Sequence, residues 1–139
     1  MPLSAELIDR IDRMRSSYGS GRPIPEDEAR TVFADTGIVP DADYLEFIGR
    51  WGGCFAGIAV HAWDQSPLLG TTTCLELTAS AREAYGDLID GVVFADDGAG
   101  NPIWVSPGGP VQLVDHDRAG AVTVLAGSFR ALLDENADD

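Results

Sequence analysis

Lysine is absent from this chain: all nine basic residues are arginine, set against 23 acids. Its absence removes Schiff-base chemistry and the Walker phosphate loop, both of which need that amine. Long apolar runs are missing as well. No stretch approaches a membrane span, and the N-terminus lacks the charged-then-apolar pattern of a signal peptide, so a cytoplasmic protein off the membrane is expected. Cysteine is scarce: Cys54 and Cys74 have neither CxxC spacing nor a secretory context, which predicts reduced, partly buried thiols. Positive charge is scarce too. A formal net charge of −14 argues against nucleic acid as a direct ligand, because phosphate binding needs a basic surface. The same charge favours a basic protein partner, or else serves solubility alone.

What is present suits one globular domain. The chain has 139 residues, of which 45% are hydrophobic, enough to bury a core. We read 1–139 as a single domain: an N-terminal helix and link over 1–23, a core over 24–135, and an acidic tail over 136–139. The organising stretch is Ile38 to Gly53, IVPDADYLEFIGRWGG. Tyr44, Phe47, Ile48 and Trp51 fall on one helical stripe, with Asp41 or Asp43 as cap and Gly52 and Gly53 as stop. Earlier, Leu3, Leu7, Ile8, Ile11 and Met14 mark a helix over Ser4 to Ser17, with Glu6–Arg10 and Asp9–Arg13 as i,i+4 pairs. Pro25, Glu26 and Asp27 open a second helix, which buries Ala29, Val32 and Phe33 and ends at Gly37.

After Gly53 the pattern changes. Cys54 to Trp63 is rich in strand formers, and Asp64 to Gly70 is a loop. Thr71 to Tyr85 is ambiguous, and a helix is expected over its second half, from Ala79. Four β-rich runs follow, Val92 to Ala95, Ile103 to Val105, Val111 to Val114 and Ala121 to Leu125, separated by the turns DDGAGNP, SPGGP and DHDRAG. Such short connections predict an antiparallel meander. Ser128 caps a last helix that buries Phe129, Leu132 and Leu133.

Candidate chemistry is thin. Asp96, Asp97 and Asn101 surround two glycines, but without EF-hand spacing they read as a hairpin turn. Asp115, His116 and Asp117 likewise read as a turn rather than a metal site. Cys54 or Cys74 with His61 or His116 lies in no nucleophile motif, and there is no GxSxG. No enzymatic activity, metal or cofactor is expected. Trp104 faces opposite to Ile103 and Val105, which places it either exposed, as an interface anchor, or under a flanking helix. Trp63 is a second such candidate.

Four pieces of the chain, in order, resemble the SUKH superfamily, whose fold is shared by yeast cell-wall-synthesis regulators and many bacterial toxin-immunity proteins. They are IPEDEARTVFADTG, VPDADYLEFIGRWGG, GVVFADDGAGNPIWV and VQLVDHDRAGAVTVLAGSFRALLDE, together spanning Ile24 to Glu135. Gly52 stands where that family often has asparagine, an exchange that a left-handed cap accepts. The resemblance implies an α+β fold with N-terminal helices, a largely antiparallel sheet of about 4–6 strands, and a C-terminal helix packed on the sheet. It implies protein binding in place of catalysis, as an immunity protein that neutralises a bacterial toxin, a nuclease being the natural target. The expected partner is therefore a basic toxin domain; the charge argues against direct nucleic acid, and a monomer is favoured although the sequence leaves the oligomeric state open. Candidate partner-binding residues are Asp64, Asp96, Asp97, Asp115 and Asp117 on loops, together with Trp104. The competing readings are a regulatory adaptor bound to a non-toxic cellular protein, and a small-molecule binder or enzyme with a pocket near Trp63 or Trp104.

Overall fold

Residues 44–51 do form the buried stripe of a helix, and its ends show why it sits where it does. The computed structural model describes residues 3–18, 22–56, 58–62, 73–97 and 100–137. In it α3 spans Ala42–Trp51 and buries Tyr44, Leu45, Phe47, Ile48 and Trp51. Asp41 is the cap: its carboxylate accepts the backbone N–H groups of Asp43 at 3.0 Å and Tyr44 at 3.2 Å. Its other oxygen accepts the N–H of Gly108 at 2.9 Å, so one carboxylate fixes both a helix start and a distant turn. At the far end Gly52 adopts φ +66° and ψ −146°, outside the left-handed helical region. A Cβ there would stand 2.4 Å from the carbonyl oxygen of Arg22. The asparagine exchange expected from the sequence is thus excluded by the backbone of Arg22.

Two helices precede α3. The first, α1 (Ala5–Tyr18), buries Leu7, Ile11 and Met14, and Leu3 just before it. Arg10 does not serve the local Glu6 pairing read from the spacing. It turns to the last helix, α5 (Phe129–Asn136), where its guanidinium pairs with Asp134 and donates to the carbonyl of Ala137 at 3.0 Å. A cation at a helix C-terminus satisfies carbonyls that have no intrahelical donor. Trp51 joins α3 to α1 by donating its indole N–H to Asp12 at 2.7 Å. The second helix, α2 (Glu26–Thr36), buries Ala29 and Phe33, leaves Val32 half-buried, and ends on a left-handed Gly37.

The stretch after Gly53, rich in strand formers, is a small hairpin of two short strands, β1 (Cys54–Phe55) and β2 (Ala59–Val60). Next comes α4 (Cys74–Tyr85), which begins five residues before the expected Ala79. Thr73 and Glu76 supply the reason. The threonine hydroxyl accepts the N–H of Glu76 and meets its carboxylate, both at 3.2 Å, a capping pair that fixes the first turn.

The four remaining strands are β3 (Val92–Asp96), β4 (Pro102–Val105), β5 (Val111–Asp115) and β6 (Ala121–Ala126). They pair in that order, each antiparallel to the next, as the short turns predict. Alternation sorts their side chains into two layers. Val92, Phe94, Ile103, Val105 and Val111 join α1, α2, α3 and α5 in the main core. On the opposite face Val93, Trp104 and Val114 pack with Ala81 of α4 and with Ile89. The fold is therefore α+β, with the sheet between the larger helical layer and α4.

The register of β3 shifts between Val93 and Ala95, which disturbs the ladder at a buried position. The hydroxyl of Thr78, on α4, accepts the Val93 N–H at 2.9 Å while donating to the carbonyl of Cys74 at 2.7 Å. Thr78→Val keeps the shape and removes the acceptor, and is expected to cost about 1–3 kcal/mol in urea unfolding. Gly52→Asn is expected to lower stability by about 2 kcal/mol or more in the same assay, because both its backbone angle and its Cβ are refused.

Candidate functional site

A meander returns alternate turns to the same end of the sheet, and this brings four of the predicted acids together. The β3–β4 turn carries Asp96 and Asp97, and the β5–β6 turn carries Asp115, His116 and Asp117. Asn101 stitches the two. It is buried, donates its amide to Asp97 at 2.8 Å, and offers its carbonyl oxygen to the backbone N–H of His116 at 3.0 Å and to the His116 ring. Its own backbone N–H donates to Asp97 at 3.1 Å. Within the second turn Asp115 accepts the N–H of Asp117 at 2.9 Å and lies 3.6 Å from the Arg118 guanidinium. Asp97 and Asp115 therefore spend part of their charge holding turns. Asp96 and Asp117 are exposed, and the side chain of Asp117 is 76% exposed, 3.3 Å from the His116 ring.

Beside these acids runs a groove of about 230 Å³. Leu77, Ala84 and Tyr85 of α4 form one wall and Pro102 the other, with Asp96 and His116 on the rim. An apolar lining with one carboxylate, Asp96, suits a cationic side chain with an apolar stem, since the stem packs while the charge meets the acid. A broader depression lies against α3, between Glu26, Asp43, Glu46 and Arg50. There Arg50 pairs with Glu46 at 3.0 Å, and Glu46 also accepts the N–H of Leu3 at 2.9 Å, so its groups hold the helices together. The Asp43 carboxyl is held above its ordinary range by burial, then by the neighbouring Asp41.

Two candidates fall elsewhere. Trp104 is only 1% exposed, so it is no surface anchor: it fills the layer under α4 and donates its indole N–H to Asp90 at 2.9 Å. The physical reason is that α4 covers that face of β4, the second of the two placements the alternation allowed. Asp64 and Trp63 lie outside the described residues. Asn101 was read only as a residue of its own turn, its link to the β5–β6 turn was not foreseen, and the α4 wall was missed. The Thr-x-x-Glu pair at Thr73 and Glu76 would have signalled the helix that carries the wall.

Cys74 is buried and its thiol pushed up to about 12 by that burial, so it keeps its proton at neutral pH and offers no nucleophile. Tyr44, fully buried, is raised well above its ordinary value by the same cause and donates its hydroxyl to the carbonyl of His61 at 2.6 Å. Among the described residues no group of three His, Cys, Asp or Glu side chains is placed to hold a metal ion, and no helix is long and apolar enough to cross a membrane. No family model, no curated protein and no solved structure matches the chain.

The Cys74 environment sets a pH dependence. An unfolded thiol ionises near its ordinary 9.0 while the folded one keeps its proton to about 12, so unfolding releases protons in that window and stability falls as pH rises above 9.0. Urea midpoints measured from about pH 8 to about pH 10.5 are expected to decline, and to decline less in Cys74→Ala.

Proposed function

We propose that this chain is a SUKH-type protein-binding domain, an immunity protein that neutralises a basic bacterial toxin, with a nuclease as the target class. One observation carries the reading: Asp96, Asp97, Asp115 and Asp117 gather at one end of the sheet, beside a largely apolar groove that Asp96 helps to line. The net charge of −14 adds a long-range field of the same sign. A nuclease must present a basic track to bind phosphates, and carboxylates gathered at one end of the sheet match such a track in charge. Asp96 and Asp117 make the leading contacts, and an arginine or lysine of the toxin enters the groove between α4 and Pro102. The work is done by occlusion, which requires no proton transfer or nucleophile from this chain. The domain acts in the cytoplasm, where a toxin would meet its nucleic-acid substrate.

The test begins with capture of partners in low-salt buffer from the native cell. A stoichiometric basic protein that is toxic without this chain supports the immunity reading, and a non-toxic cellular partner replaces it with an adaptor. With that partner in hand, raising salt from about 0.05 M to about 0.5 M is expected to slow association at least about tenfold. Asp96→Asn combined with Asp117→Asn is expected to slow it several-fold, with the circular dichroism spectrum confirming that the variant is folded. A salt-independent association rate would sink the electrostatic mechanism.

A further inference from the structure

We propose that His116 is a proton-operated latch on the acidic surface, which withdraws Asp117 from a basic partner when the ring is protonated. The latch stands on the hydrogen bonds of two turns, and its effect on a partner rests on the basic-partner reading. Asn101, which is buried, bridges the Asp97 carboxylate and the backbone N–H of His116. A carboxylate only accepts and a backbone N–H only donates. The amide therefore has one allowed orientation, nitrogen toward Asp97 and oxygen toward His116. Nδ1 of the His116 ring meets that same oxygen, so Nδ1 must carry a proton. In a neutral imidazole the other nitrogen, Nε2, then holds a lone pair and no hydrogen. Nε2 lies 3.3 Å from Oδ1 of Asp117. With the ring neutral, two acceptors face each other there; with the ring protonated, an N–H meets a carboxylate. The observed contact is the one an imidazolium makes.

The charges around the ring give its protonation a single sign of effect. His116 lines the groove together with Asp96 of β3 and Tyr85 of α4, the other titratable side chains of that lining. Asp97 stands behind Asn101, and the turn of His116 itself supplies Asp115, Asp117 and Arg118. Arg118 lies 3.6 Å from Asp115, so Asp117 is the carboxylate that reaches Nε2. Protonation then acts twice. It sets a positive charge beside a groove suited to a cationic side chain, and it pairs the exposed carboxylate that leads the contact. A basic partner must break that pair, so it binds the neutral form more tightly, and by linkage its binding expels the proton. Histidine suits the task because its charge changes between about pH 5 and about pH 8, where ordinary carboxylates stay ionised.

Nitrogen NMR of the free chain tests the latch with no partner present, and His61 and His116 are its only histidines. At about pH 8 the neutral His116 ring is expected to carry its proton on Nδ1, the less common tautomer of free histidine. On acidification toward about pH 5 the carboxyl carbon signal of Asp117 is expected to move with the His116 midpoint. A proton on Nε2 of the neutral ring, or an Asp117 signal that ignores the His116 titration, would overturn the latch. This arm needs no variant, so it stands even if a substituted chain fails to fold. A hexa-arginine peptide in low salt serves as the basic probe. It is expected to bind at least about threefold more weakly at about pH 5.5 than at about pH 7.5, and the difference is expected to vanish in His116→Gln. Equal affinity of the wild type at both pH values, or a difference that survives His116→Gln, would overturn the effect on binding. A peptide that binds at neither pH, with the Nδ1 proton and the shared midpoint observed, would instead sink the basic-partner reading and leave the latch without a ligand to release.

Discussion

Tyr44 meets three other elements at once. Its ring lies edge-on to Phe33 of α2 at 6.4 Å and to Phe129 of α5 at 5.5 Å, and tilted against Phe94 of β3 at 6.0 Å. Phe129 in turn stands edge-on to Phe47 at 5.7 Å and to Phe94 at 5.0 Å. Each such ring contributes roughly 1.5–3 kcal/mol by burial, with about 0.5–1.5 kcal/mol more for a well-oriented pair. A cluster of this size makes the orientation of α3 the constraint on which the rest depends. The phenol needs a partner in so dry a place, and the His61 carbonyl supplies it, which fixes where the β1–β2 hairpin meets β3. Asp41, one turn before Tyr44, performs the same office by holding the β4–β5 turn to the start of α3.

With the helical layer fixed on one face and α4 on the other, burial is graded across the sheet. β3 is covered on both faces, whereas β6 is exposed along most of its length. The same meander that creates this gradient sends the β3–β4 and β5–β6 turns to one end. Acids therefore lie at the turn end, while the exposed Val122 and Val124 lie along the last strand.

Much of this architecture was legible in the sequence because it rests on local chemistry. The four β-rich runs, their Gly, Asp, Asn and Pro turns, and the Ser128-capped helix are all found, with Ser128 accepting the N–H of Ala131 at 3.0 Å. The failures are equally physical. Composition alone dated α4 from Ala79, while the Thr73–Glu76 cap starts it at Cys74. Spacing assigned Arg10 to Glu6, but a long side chain chooses among all carboxylates and carbonyls within reach, and α5 offered both. Ala137, assigned to a solvated tail, is buried.

Sequence by itself determined which residues are turns, which strands are neighbours, and that Trp104 points away from Ile103 and Val105, since these follow from backbone preference and a two-residue period. It also determined the sign and size of the charge. Only the tertiary structure decided that the face carrying Trp104 is covered, that Asn101 binds two turns into one acidic surface, and that Gly52 admits no side chain. Each of these depends on segments far apart in the chain meeting in space, and no local pattern encodes that meeting.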